Sequence, residues 1–197
     1  MTALEISNVM LWLVVVFLVL VVLALTRQLG VLHERIAPAG ALMLNRGPAV
    51  GQRAEAIDVV DLTGSALRIG APRADGRSTL ILFVSPTCPV CKALLPVMKA
   101  SREQERHWLD MVLASDGDPA EHRKFVAAEG LGGFPYVIST ALGLSYQVNR
   151  LPYAALLDGD ALLRARGLVN SREHLESLFE AKRLGVASLQ EYFASRA

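Results

Sequence analysis

Cysteine is scarce in this chain, with two residues among 197, Cys88 and Cys91. Two thiols cannot build a disulfide scaffold or a four-thiolate zinc site. A surplus of charge of either sign is also missing. Lys and Arg number 20 against 19 Asp and Glu, for a net charge of +1, so few phosphates could be neutralised and nucleic acid is excluded as a main partner. The chain shows no internal repeat and no low-complexity tract. Apolar residues are plentiful at 52%, which excludes disorder and suits one packed domain with an appendage.

The appendage is N-terminal. No charged residue stands between Glu5 and Arg27, and residues 9–25 are an unbroken apolar run, VMLWLVVVFLVLVVLAL. About 20 apolar residues at a rise of roughly 1.5 Å cross the hydrocarbon core of a lipid bilayer, so residues 1–27 are expected to form a transmembrane anchor. A cleaved signal peptide would have a basic start and an apolar core of about 7 to 15 residues; here the start carries Glu5 and the core is longer. No polar face recurs at helical period, which argues against a buried soluble helix. The run also lacks a small-x-x-x-small face that would pair two such helices. Arg27, Arg35 and Arg46 follow the run, and by the positive-inside tendency alone they would leave the bulk of the chain in the cytoplasm.

Residues 28–49 mix apolar positions with Gly30, Pro38, Gly40, Gly47 and Pro48, which predicts a juxtamembrane helix broken at Pro38 and then a linker. A folded domain is expected over residues 50–184, with a tail over 185–197. Within the domain, AIDVVDLTGSALRI alternates about Thr63-Gly64 and predicts a hairpin. Residues 79–85, TLILFVS, read as a buried central strand that ends at the cysteines. A helix through Lys92 to about Glu105 should follow, kinked at Pro96, then a strand over 109–115 and a helix from Pro119 to about Glu129. The segment LPYAALLDGDALLRARG predicts strands over 153–157 and 161–166 joined at Asp158-Gly159. Asn170 and Glu173 are expected to cap a final helix over 172–184, where Leu175, Leu178 and Phe179 recur at helical spacing.

CPVC therefore sits where a buried strand gives way to a helix, the context that makes C-x-x-C a redox motif. Free backbone N–H groups and the dipole at a helix N-terminus favour an anion, so Cys88 is expected to be the attacking thiolate. Cys91, one turn on and on the same face, is placed to resolve a mixed disulfide. Pro89 suits the first turn of that helix. The rival reading is half a zinc site, but His33, His107, His122 and His174 make no paired ligand spacing. Haem attachment would need His after the second cysteine, where Lys92 stands. No metal or cofactor is expected, and the four histidines are read as surface or helix residues without a role.

These residues resemble the thioredoxin superfamily over roughly residues 50–184. Besides CPVC after a buried strand, Pro96 falls five positions after Cys91, where thioredoxins carry a helix-kinking proline, and Pro152 stands just before a hairpin strand, where they place a cis-proline facing the dithiol. The resemblance implies a thioredoxin-like α/β fold, preceded here by the N-terminal transmembrane helix. It further implies Cys88 and Cys91 as the catalytic pair, and Thr87, Pro89, Leu151 and Pro152 as substrate contacts. An ordinary strand-entry proline is the alternative for Pro152. Two positions depart from the pattern. Thr87 stands where thioredoxins have tryptophan, and Leu82 where they bury an acid that helps deprotonate the second cysteine.

A narrower resemblance covers the whole chain. The anchor, GVLHERIAPAGAL, SPTCPVCK, GLVNSREHLESLFEA and GVASLQEYF are similar to segments of the MauD family of methylamine utilization proteins. That resemblance implies a membrane-anchored thiol-disulfide oxidoreductase that helps mature the disulfide-rich β subunit of methylamine dehydrogenase. The companion membrane protein MauE is its implied electron partner. A periplasmic client places the domain on the oxidising side of the inner membrane, against the arginine bias. Two alternatives remain, a non-catalytic chaperone or transport factor for the same subunit, and a periplasmic reductant for cytochrome c maturation.

Overall fold

A computed structural model describes the chain over residues 3–34 and 47–184. The chain divides into two units between Leu44 and Asn45.

The first unit holds α1 (Ala3–Glu34), a single helix of 32 residues. It runs past the expected end of the apolar segment, so the juxtamembrane helix is continuous with it as far as Glu34. The break expected at Pro38 and the tail over 185–197 lie outside the described residues. The large apolar side chains of residues 9–23 are all exposed, between 37% and 69%. Among the described residues no helix is long and apolar enough to cross a membrane.

The second unit is built on a five-stranded mixed sheet. Its elements in chain order are β1 (Ile57–Val60), β2 (Ala66–Ile69), β3 (Ser78–Phe83), α2 (Pro89–Glu105), β4 (Leu109–Ser115), α3 (Pro119–Ala128), β5 (Tyr136–Ile138), α4 (Thr140–Ser145), β6 (Tyr153–Leu157), β7 (Leu163–Leu168) and α5 (Arg172–Leu184). The sheet order is β5-β4-β3-β6-β7. β3 pairs parallel with β4 and antiparallel with β6. Every residue of β3 is buried, as its continuous apolar pattern predicts for a strand covered on both faces. Side chains alternate across the sheet. Leu80, Leu82 and Val84 join Cys91, Leu94, Leu95 and Met98 in one core layer, with Phe125 of α3 and Leu175, Leu178 and Phe179 of α5. Ile81 and Phe83 point into a second layer with Leu142 and Tyr146. The α5 helix is held by an edge-to-face contact between Phe179 and Trp108, ring centroids 5.6 Å apart.

β1 and β2 form the expected hairpin, with Gly64 in the left-handed region at φ +92°. Asp61 organises the turn, its Oδ1 accepting from the Thr63 and Ser65 N–H groups at 2.8 and 2.9 Å. The hairpin docks on the sheet edge, where Leu62 N donates to Tyr136 O at 2.8 Å.

Three details differ from expectation. The β6–β7 connection is longer than the Asp158-Gly159 turn. Ala161 takes the positive φ, and Asp158 Oδ1 accepts from the Asp160 and Leu162 N–H groups, so β7 starts at Leu163. At α5 the cap is Ser171, whose Oγ accepts from His174 N, and not Asn170. β5 and α4 had no sequence counterpart. β5 is three residues long and exists by pairing with β4, and α4 is six residues capped by Ser139.

Candidate active site

β3 delivers the chain to the dithiol. After Phe83 the backbone turns through Ser85, Pro86 and Thr87, and α2 starts at Pro89, where a missing N–H costs nothing because it would have no helical partner. Cys88 is the N-cap, and its Sγ accepts from Cys91 N–H at 3.1 Å. The first sulfur is thereby held at the positive end of a 17-residue helix. Cys88 is partly exposed and Cys91 fully buried, and neither is in a disulfide. One sulfur is open to solvent while the other is covered by the core.

The remaining expected contact residues gather at this end of the sheet. Thr87 and Pro89 flank Cys88 and are exposed, and Thr87 is steadied by the Ser85 hydroxyl, 3.1 Å from its own. The Leu151–Pro152 peptide bond is cis. Because Phe83 pairs with Tyr153, Pro152 lies alongside the stretch of chain leading from β3 to the dithiol. Leu151 is exposed and Pro152 buried, its carbonyl accepting from Val169 N at 3.0 Å. Beside Leu151 opens a cavity of about 240 Å³, walled by the ends of β3 and β4 and by α4, and including neither cysteine.

The two thiols differ electrostatically. Burial, aided by the adjacent Cys88 sulfur, pushes the Cys91 thiol up to about 12, against a smaller opposing effect of the Ser85 N–H. Alkylation of the folded, reduced protein near pH 8 should therefore modify Cys88 alone, the second adduct appearing only on unfolding, as read by intact mass. The same shift ties stability to pH. The folded state holds a proton that an ordinary thiol loses near 9, so this stability is complete below about pH 9 and is lost as pH rises toward 12.

Leu82, 1% exposed, lies in the core layer of Cys91. No carboxylate is buried among the described residues. Sequence reasoning did not foresee His122. It is on a helix, as expected, but 2% exposed, with Nδ1 2.8 Å from the Tyr136 hydroxyl and Nε2 2.8 Å from the Asp116 carbonyl. Its spacing of three from Phe125, also buried on α3, was the one available signal. Among the described residues no cluster of ligand side chains could hold a metal ion.

Solved structures share this architecture. A thioredoxin-like protein from Aeropyrum pernix superposes with a TM-score of 0.55 at 16% identity, covering 64% of this chain and 89% of its own. StoA from Bacillus subtilis gives 0.55 at 20% identity, covering 67% and 99%. These establish a thioredoxin-like α/β fold. No family model matches the chain. Full-length relatives do: the methylamine utilization protein MauD of Paracoccus denitrificans is 47% identical over 96% of this chain and 94% of its own. That of Methylorubrum extorquens is 46% identical over 96% and 92%. With such identity across nearly the whole length, a buried strand feeding a CPVC helix cap and a cis-proline at the same end of the sheet, this chain belongs to the MauD family of methylamine utilization proteins.

Proposed function

We propose that the protein is a membrane-anchored thiol-disulfide oxidoreductase of methylamine utilization, whose client is the disulfide-rich β subunit of methylamine dehydrogenase. The observation that carries this reading is the pairing of a partly exposed Cys88 at the cap of α2 with a buried Cys91 one turn below it. As the thiolate, Cys88 attacks a client disulfide; one client sulfur leaves with the bonding electron pair and a mixed disulfide forms. Cys91 then gives up its proton and attacks Cys88 Sγ, which releases the second client thiolate and leaves Cys88 and Cys91 oxidised. Run in the other direction, the same steps form or rearrange client disulfides. Leu151 and the backbone beside Pro152 are the surface against which the client strand lies, and Thr87 and Pro89 border it.

The exposed apolar side chains of residues 9–23 support insertion of α1 in the inner membrane. Tethering raises the local concentration of the dithiol near a membrane electron partner, here MauE. The domain then works on the periplasmic side, where a client with many disulfides needs its pairing corrected.

A Cys91→Ser chain expressed in methylamine-grown cells tests this reading, because it can form the mixed disulfide but not resolve it. Acid quenching and thiol blocking should recover, from the membrane fraction, an adduct joining Cys88 to the β subunit. An adduct with a cytoplasmic protein would overturn the compartment. Maturation of the dehydrogenase with no adduct would favour a holding factor.

A further inference from the structure

The cavity beside Leu151 takes no part in the dithiol chemistry described above. Its volume is about 240 Å³, and an apolar cavity of about 150 Å³ already holds a benzene ring. Phe83, Ala114, Leu144, Val148 and Leu151 supply its apolar lining, with Asp116 and Arg150 among the polar residues. A mostly apolar wall with a few polar groups is the usual make-up of a ligand pocket. Leu144 and Leu151 are 54% and 37% exposed, so the apolar lining is open to solvent and not packed shut.

Gly143 keeps the cavity open. It lines the cavity from within α4, where glycine is a poorer helix former than any residue but proline. Its backbone is not in the left-handed region, and a Cβ built there meets no atom within 4 Å. Neither backbone conformation nor close packing requires glycine at this position. A side chain at residue 143 would take up space that glycine leaves free.

The cavity and the dithiol lie toward opposite faces of the same sheet end. Cys88 packs against the core layer that holds Leu82 and Cys91. Phe83 and Ala114, which line the cavity, belong to the second layer. Leu151 joins the two places, because it lines the cavity and immediately precedes cis-Pro152, beside which the client strand lies. In an extended strand successive side chains point to opposite faces. A client cysteine turned toward Cys88 therefore turns the residues directly before and after it toward the second layer, where the cavity opens.

We propose that this cavity is a side-chain subsite for the client, filled by one large apolar residue directly adjacent to the client cysteine, and that Gly143, Leu144 and Leu151 set this preference. The proposal rests on the redox reading of Cys88 and Cys91. Burying the adjacent side chain holds the client strand beside Leu151 while Cys88 attacks, and a client with a small or charged neighbour goes without that gain.

The test uses short synthetic peptides whose single cysteine is joined to thionitrobenzoate in a mixed disulfide. They are mixed in stopped flow with the reduced full-length chain in detergent. The Cys88 thiolate attacks the peptide sulfur, a disulfide between Cys88 and the peptide forms, and thionitrobenzoate leaves with the bonding electron pair as a coloured thiolate. The peptides carry phenylalanine directly before the cysteine, directly after it or two residues away, or alanine at all these positions. One of the two peptides with adjacent phenylalanine should react at least about tenfold faster than the alanine peptide. Phenylalanine two residues away faces the other side of the strand and should give no such gain. Gly143→Leu fills the cavity and should bring the ratio of the two rates close to one. Leu144→Asn changes an exposed wall residue and should lower the same ratio; it decides the matter if the filled variant does not fold. Equal wild-type rates with alanine and adjacent phenylalanine would overturn the subsite. A ratio unchanged in the variants would do the same, as would an equal gain from the distant phenylalanine, which marks general apolar attraction. Intact mass after the colour change reads the redox step separately. Release of the peptide leaves Cys88 and Cys91 oxidised, whereas a persistent adduct on Cys88 would overturn the redox reading, and this inference with it, whatever the rates.

Discussion

Replacement of Cys88 by serine is expected to drop thiol-disulfide exchange to the uncatalysed background while leaving the domain folded. The thiolate is the nucleophile, and a serine hydroxyl is not ionised near neutral pH. Serine is nonetheless a favoured N-cap, and its Oγ can accept the Cys91 N–H that Cys88 Sγ accepts now. The stability change should stay within about 1 kcal/mol. Loss of exchange with an unchanged urea midpoint would separate chemistry from folding. In cells, the Cys88→Ser chain should fail to support growth on methylamine; full growth would favour the holding-factor reading over catalysis. Cys91→Ser behaves differently. Residue 91 is fully buried, and a hydroxyl there lacking a full set of partners costs about 1 to 3 kcal/mol, so this variant should keep the first exchange step with a lower melting temperature.

The second large effect is expected from Leu82→Asp, which restores an acid at the thioredoxin position. Leu82 is 1% exposed, and its neighbours across the sheet are Leu113 on β4 and Ala154 on β6. A carboxylate meets no cation there, so burial should raise its affinity for a proton. The sign follows from linkage. The unfolded chain loses this proton near pH 4 and the folded chain holds it, so stability falls as pH rises above about 4. Each pH unit costs about 1.4 kcal/mol until the folded group ionises, or about 4 kcal/mol between pH 4 and 7. Lost leucine packing adds about 2 kcal/mol or more. Against a typical total of about 5 to 15 kcal/mol, the variant should be largely unfolded at neutral pH and partly rescued near pH 5. Urea titrations at the two pH values check this. Equal stability at both would mean that the carboxylate finds a partner or water in this layer.

Part of this domain could be read in the sequence and part could not. The buried strand, the CPVC helix start and the proline inside α2 are local patterns, carried by residues within about 20 positions of one another. The strand over 109–115 and the helix over 172–184 follow equally from local apolar period, and their bounds agree with β4 and α5. By contrast, β5 has three residues and no period to detect. It is a strand because Leu113, Ala114 and Ser115 offer it hydrogen bonds. The cap of α5 and the turn before β7 were misplaced by one or two residues for a related reason. Several polar residues there could fill the same role, and the path of the chain selects Ser171 and Ala161.

The sequence by itself determined a dithiol at a strand-to-helix junction, an apolar N-terminal segment and the order of the longer strands and helices, because each depends on spacing along the chain. Only the tertiary structure decided that Leu151–Pro152 is cis and that Cys91 is fully covered while Cys88 is not. It also decided that His122 and Tyr136, 14 residues apart, meet beneath the sheet end where the dithiol sits. Those properties depend on which residues from distant segments share one layer. That is set by the pairing of β3, β4 and β5, and no local pattern records it.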